Sequence, residues 1–377
     1  MTSQELLAIP MPAAGRLDIY SGVARLSGKL WASCHRPASG SRRTAVLIVH
    51  PSSNFLGHYA LEPLARRGVT AVGMNTRYIA NDSALIMENC VLDLGAGVRY
   101  LREQGFEKIY LMGNSGGGAL VALYQSQAEH PTITATPAGD PPDLTQADLP
   151  PVDGLICAMA HPGRAQVYTE WLDPAILDEQ DPFRRDPALD AFHPDNGPPY
   201  PPEFVAAYRA AQVERNRRIT RWVRDRLANL ASEVPGLDDL PFVVHGTVAD
   251  LRFIDPALEP SARQPGTPWG DPQVANYRPA SLGHHTSLRS WLSQWSIDDS
   301  NANGPYHLGR VSVPVLVVYG TADNVALPSH ARALYEGVRH DDKELFPIEG
   351  ATHYFQGQPE LLERFCDKVV DWLDAHE

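Results

Sequence analysis

The run Ile109-Tyr110-Leu111-Met112-Gly113-Asn114-Ser115-Gly116-Gly117, continuing to Gln127, decides how this chain is read. Ile109 to Met112 is a short apolar segment expected to be a strand, and Gly116 to Gln127, rich in alanine and leucine, reads as a helix. Between them stands a G-x-S-x-G pattern. A serine on a sharp turn from strand to helix has its hydroxyl projected outward, and flanking glycines remove side chains that would collide there. The helix that follows adds a backbone N–H and the positive end of its dipole where an oxyanion would form. The same five residues also occur in loops as a plain glycine-rich turn, but the strand before and the helix after favour Ser115 as a nucleophile.

Working outward, strands and helices alternate on both sides. Thr44 to His50 is a compact β-branched run expected as a buried central strand. Leu61 to Arg67 reads as a helix closed by Gly68, Val69 to Asn75 as a strand, and Ser83 to Gln104 as a helix stopped by Gly105. Leu17 to Ala32 alternates polar and apolar residues, the pattern of short antiparallel strands at a sheet edge. Asp153 to Ala160 is a further buried strand. The alternation resumes with the strand Val313 to Tyr319, the helix Ser329 to Val338, the strand Lys343 to Ile348 and the terminal helix Pro359 to His376. Such alternation implies an α/β chain with a mostly parallel, doubly wound sheet.

From 162 to 309 the period is lost, and a gap of about 150 residues between consecutive core strands exceeds an ordinary connection. The expected organisation is a core of residues 1–161 and 310–377 with an inserted cap or lid at 162–309. Fifteen of the 33 prolines fall from Pro131 to Pro202, which favours fixed turns over long helices at its approach. Inside it, Pro202 to Ala231 reads as one long helix, followed by a strand-like run, Pro241 to Val244.

A serine hydroxyl needs a base to take its proton, and that base needs a third group to hold its tautomer. His353 stands in Gly350-Ala351-Thr352-His353-Tyr354 after the last expected strand, and Asp323 in Gly320-Thr321-Ala322-Asp323 after the strand before it. Both loops fall at the carboxyl edge of the sheet, where ligands collect in parallel sheets. A near copy of the acid loop, His245-Gly246-Thr247-Val248-Ala249-Asp250, makes Asp250 the rival acid, although no sheet-adjacent helix and histidine loop follow it.

These residues in the chain order Ser, Asp, His resemble the α/β-hydrolase family, over roughly Thr44 to Ala160 and Val313 to Glu377. The resemblance implies that Ser115, Asp323 and His353 form a triad. It also implies an oxyanion hole built from the Gly116 N–H and a second N–H after the strand ending at His50. Where family members commonly read His-Gly-x, this chain reads His50-Pro51-Ser52-Ser53-Asn54, and proline has no N–H to give. Ser52 is therefore the expected second donor by position, with Ser53 next, and His50 is expected to shape that loop. His50, Asn54, Asn114, Trp291 and Trp295 are the expected substrate-binding residues, although a lid's own small core would also account for the tryptophans. His284 and His285 are pocket candidates of the same kind.

The family reading makes the chain a serine hydrolase acting on a carboxylic ester, thioester or lactone through an acyl-enzyme. Hydrolysis of a carbon–carbon bond beside a ketone is a second reading with the same three residues, and a ligand-binding protein that kept the fold without the chemistry a third. No cofactor is expected, and no metal, because no grouping of His, Asp, Glu and Cys has ligand spacing. The net charge of −13 and pI near 5.5 argue against nucleic acid as partner. A small-molecule substrate and no membrane partner are expected, with a homodimer as the assembly left open. With no apolar signal-like start, the chain is expected to be soluble and cytoplasmic. The cysteines, Cys34, Cys90, Cys157 and Cys366, are scattered and expected as free thiols, Cys157 as a small buried hydrophobe. Seven arginines on the long insertion helix, Arg209, Arg215, Arg217, Arg218, Arg221, Arg224 and Arg226, are read as a solvated face in preference to a trap for an anionic substrate.

Overall fold

The computed structural model describes residues 2–13, 28–38, 43–279 and 282–377. Eight strands form one sheet: β1 (Ser3–Pro10), β2 (Lys29–Arg36), β3 (Thr44–Val49), β4 (Thr70–Met74), β5 (Lys108–Asn114), β6 (Gly154–Ala158), β7 (Val315–Gly320) and β8 (Lys343–Ile348). Their spatial order is β1-β2-β4-β3-β5-β6-β7-β8. β2 runs antiparallel to both neighbours, β1 and β4, and every other pairing is parallel. Strand β1 was not anticipated. The expected N-terminal strands survive as β2, and the part of that segment before Gly28 lies outside the described residues.

The pleat sorts the strand residues into two cores, because successive side chains point to opposite faces. Ala45, Leu47 and Val49 of β3 join Leu111, Cys157 and Val317 on one face. That face is covered by α2 (Met87–Glu103), α3 (Gly117–Glu129) and α6 (Pro328–Gly337). Val46 and Ile48 join Met112, Ile156 and Leu316 on the other, under α1 (Leu61–Arg66) and α7 (Pro359–Asp374). Because both faces are covered, β3, β4, β5 and β6 could be apolar at nearly every position, which is why they read as continuous runs rather than alternations.

Between β6 and β7 lie α4 (Arg164–Trp171), the long helix α5 (Pro202–Glu233), two short antiparallel strand pairs and several short helices. These pack around their own clusters, chiefly Tyr168, Leu172, Ile219, Val223, Trp291 and Trp295. Each of the seven α5 arginines is paired with a carboxylate of this chain: Arg209 with Asp250, Arg215 and Arg218 with Glu179, Arg217 with Asp298, Arg221 with Glu214, Arg224 with Asp299 and Arg226 with Glu233. The helix therefore presents no spare row of guanidinium groups to an anion. All four cysteines are buried free thiols, and burial pushes the Cys157 thiol up to about 12. Among the described residues no helix is long and apolar enough to cross a membrane.

Candidate active site

The six parallel strands β3 to β8 all end at the carboxyl edge of the sheet. The turn from β5 into α3 holds Ser115 at φ +57°, in the left-handed region that costs a residue with a Cβ about 1–2 kcal/mol. The turn closes because its glycines allow backbone contact: a Cβ on Gly113 would lie 2.2 Å from the Gly117 carbonyl oxygen, and one on Gly117 2.2 Å from that of Val49. Among the described residues three other non-glycine positions have positive φ, Ala80, Met159 and Phe355. Met159 follows the β6 residue whose carbonyl accepts the Ser115 N–H, and Phe355 lies two residues from His353. Strain is thus concentrated in the loops of this one edge, where functional sites commonly hold it.

After β7, the Asp323 carboxylate is buried and fixed by three donors. Oδ1 accepts from Val325 N at 2.7 Å and Ala326 N at 2.9 Å, and Oδ2 faces His353 Nδ1 at 2.7 Å. A carboxylate there puts the neutral imidazole's proton on Nδ1 and leaves Nε2 as the acceptor. His353 Nε2 is buried with no hydrogen-bond partner, so the Ser115 hydroxyl is near the edge but not bonded to it. Contacts of this kind often tighten only with substrate in place. Asp250, the rival acid, is also buried, but its oxygens are taken by Arg209 and Arg252 and by the N–H of Arg252, and among the described residues no histidine bonds it.

The loop after β3 departs from expectation. The Ser52 and Ser53 amides, expected as oxyanion donors, both donate to His50 Nδ1, at 3.1 and 2.8 Å. The ring that was expected to shape the loop does so by occupying these donors. Asn54 is exposed and braces Asn75 and the Leu56 N–H, while buried Asn114 donates to the Tyr59 hydroxyl and the Ala158 carbonyl. Trp291 sits in the core of the insertion with its N–H on Thr220. Trp295 reaches the edge, with the Arg164 guanidinium 5.1 Å over its ring. His284 bonds Thr247 and the Val244 carbonyl. His285 lines a cleft of about 470 Å³ with Ser83, Ile86, Leu240 and Phe242, and none of Ser115, Asp323 and His353 borders that cleft.

Two residues at this edge were missed. His161 and Arg164 follow β6, and both are buried. Burial first, then the His330, Arg164 and His353 charges, hold the His161 ring down to about 3, so it stays neutral. Arg164 donates to Asp82 at 3.2 Å, to Ser52 Oγ at 2.6 Å and to Gln294. The signal was available: Ala160-His161-Pro162-Gly163-Arg164 leaves a parallel strand at its carboxyl end.

An eight-stranded sheet with β2 alone reversed, a strained serine elbow after β5, an acid after β7 and a histidine after β8 settle the architecture. The chain has the α/β-hydrolase fold. No family model matches it. Over 70 residues it is 37% identical to a caffeoylshikimate esterase of Arabidopsis thaliana, covering 18% of this chain and 21% of that one. Over 67 residues it is 33% identical to an uncharacterized 31.7 kDa protein of Escherichia coli, covering 18% and 23%. The chain thus spans about a fifth of the length of the curated relatives it matches. Solved structures with a similar chain path include a soluble variant of monoglyceride lipase from Saccharomyces cerevisiae, at 14% identity, 100% and 98% coverage and a TM-score of 0.48. The esterase domain of a Rhodothermus marinus protein is similar at 12% identity, 98% and 97% coverage and a TM-score of 0.48. Within this hydrolase fold, residues 162–309 occupy the connection between β6 and β7.

Proposed function

We propose that this chain is a serine hydrolase that cleaves a carboxylic ester, thioester or lactone through an acyl-enzyme on Ser115. The observation that carries the reading is the buried His353–Asp323 pair, 2.7 Å long, with an unpartnered Nε2 on the same sheet edge as the strained Ser115 elbow. As Ser115 Oγ attacks the carbonyl carbon, His353 Nε2 takes its proton and Asp323 stabilises the imidazolium. The bond to the leaving group breaks, and that group takes the proton back from His353. A water, deprotonated by His353, then attacks the acyl carbon and returns Ser115 to its hydroxyl form. The local match to an ester-cleaving plant enzyme supports the choice of bond.

In this reading residues 162–309 form the cap over the sheet edge, the substrate is a small molecule, and the enzyme works in the cytoplasm. A fluorophosphonate probe tests it without knowledge of the substrate, since labelling needs a serine with a working base and oxyanion hole. One probe should add per chain, at Ser115, and His353→Ala should abolish the reaction. Intact-mass spectra showing no adduct after hours with a small probe at neutral pH would remove the main support.

A further inference from the structure

We propose that the second oxyanion donor is a side chain, His50 through its Nε2–H, with the Arg164 Nε–H beside it; this rests on the reading of Ser115 as nucleophile. The amides that the fold would ordinarily offer are engaged, because Ser52 N and Ser53 N both donate to His50 Nδ1. A nitrogen that accepts two N–H bonds cannot carry the proton of a neutral imidazole, so that proton resides on Nε2. Burial first, then the charges of Arg164, His161, His353 and His58, holds His50 well below its ordinary range and keeps the ring neutral.

Position supplies the second part of the argument. Apart from the adjoining residues Ser115 and Gly117, the point where a Cβ on Gly116 would stand has three nitrogens nearest to it: His50 Nε2 at 3.2 Å, His161 Nε2 at 3.5 Å and Arg164 Nε at 3.6 Å. Gly116 follows the nucleophile, so this is the space into which an acyl oxygen turns when Ser115 attacks. Arg164 is 2% exposed, its terminal nitrogens are held by Asp82, Gln294 and Ser52, and its Nε has no hydrogen-bond partner. A buried guanidinium N–H without an acceptor is uncommon and calls for one. When the carbonyl π electrons move onto oxygen, that oxygen becomes the acceptor for His50 Nε2–H and Arg164 Nε–H. No proton is transferred, and the electrons return as the leaving group departs. Interactions realised only at that moment are the ones that accelerate the step.

Two substitutions separate a donor from a mere loop anchor. His50→Asn places an amide oxygen near Nδ1, keeping an acceptor for Ser52 and Ser53, but leaves nothing at Nε2. His50→Gln reaches the Nε2 position with a donor and gives up the anchor. With an ethyl fluorophosphonate probe, His50→Asn should lower the maximal labelling rate by about 10²- to 10³-fold, with half-saturation changed less than about threefold. His50→Gln should recover to within about tenfold of the wild type. Wild-type labelling by His50→Asn, or a greater loss in His50→Gln than in His50→Asn, would overturn the proposal in favour of loop ordering. If either variant melts early, the wild type decides by ¹⁵N-histidine NMR. Butylboronic acid should shift the His50 Nε2–H proton, and an unmoved signal in the saturated complex sinks the idea. No labelling of the wild type at all is a different result, which removes Ser115 as nucleophile.

Discussion

Asp323→Asn replaces one oxygen by an NH₂ of nearly the same size, and the structure dictates which way the amide turns. Val325 N–H and Ala326 N–H both point at Oδ1. An NH₂ facing them would set donors against donors, so the amide oxygen stays there and the NH₂ faces His353. Nδ1 must then accept, which moves the ring proton to Nε2, the atom that has to receive the serine proton. In serine proteases the corresponding exchange costs about 10⁴ in turnover, roughly 5.5 kcal/mol of transition-state stabilisation, and a loss of that order is expected here. Both amide bonds persist without charge assistance, so the fold should lose only about 1 kcal/mol. The control is Asp250→Asn, which removes the counter-charge of Arg209 and Arg252 in a buried site. Breaking a buried ion pair from one side costs about 3–5 kcal/mol, so Tm should drop by roughly 4–6 °C while turnover per folded molecule stays near wild type. Hydrolysis of p-nitrophenyl butyrate, normalised to the concentration of folded protein, and differential scanning fluorimetry read the two effects apart. The reasoning is refuted if Asp323→Asn keeps more than about a tenth of wild-type turnover, or if Asp250→Asn is the slower variant.

Acid should destabilise the protein early. Burial holds His58 and His161 at about 3, below their ordinary 6.5, so below that ordinary value the unfolded chain binds protons that the folded one refuses. The sign follows: nothing is lost above pH 6.5, and stability falls as pH drops from there toward 3, by about 1.4 kcal/mol per unit for each ring. Urea denaturation should show about 4 kcal/mol less stability at pH 5 than at neutrality, and equal midpoints would contradict the burial argument. Gly117→Ala should yield insoluble protein or lose more than about 4 kcal/mol, since its Cβ meets the Val49 carbonyl oxygen at 2.2 Å. Gly57→Ala, with open space around it, should fold normally, and soluble Gly117→Ala of ordinary Tm would count against the tight elbow. Arg215→Met leaves Glu179 and the carbonyls of Asp173 and His245 without their buried donor, at an expected cost of about 3–5 kcal/mol in the same urea assay. A change under about 1 kcal/mol would show that this pair is solvated.

The parallel core was legible because strands covered on both faces are apolar throughout and each is followed by a helix or a glycine stop. Boundaries drifted where capping is weak: the expected Ser83–Gln104 helix begins at Met87, because Ser83 to Ile86 form the loop whose carbonyls receive Ser290 and Ser287 from the insertion. Ser3–Pro10 escaped notice because an edge strand pairs on one side only and carries exposed residues such as Leu6. That Ser115, Asp323 and His353 lie in loops at one sheet edge was legible, since local sequence fixes which edge a loop occupies. The engagement of the Ser52 and Ser53 amides could not, because the direction of a ring nitrogen is a tertiary fact. Likewise the arginines of α5 looked like a stripe of charge, and their carboxylate partners are mostly distant in sequence.

The insertion is bolted to the core rather than hinged on it. Glu170 of α4 meets His330 of α6 at 2.9 Å, Glu259 receives both the N–H and the hydroxyl of Ser329 at 2.8 Å, and Arg164 grips the β3 loop through Ser52. Lifting the whole body would part all three fastenings at once. Yet Ser115 is only 7% exposed, and the cavity beside Arg164, walled by Tyr168, Trp171 and Trp295, has room for about one water molecule. Anything larger than a water molecule therefore reaches Ser115 only if side chains at this edge move aside.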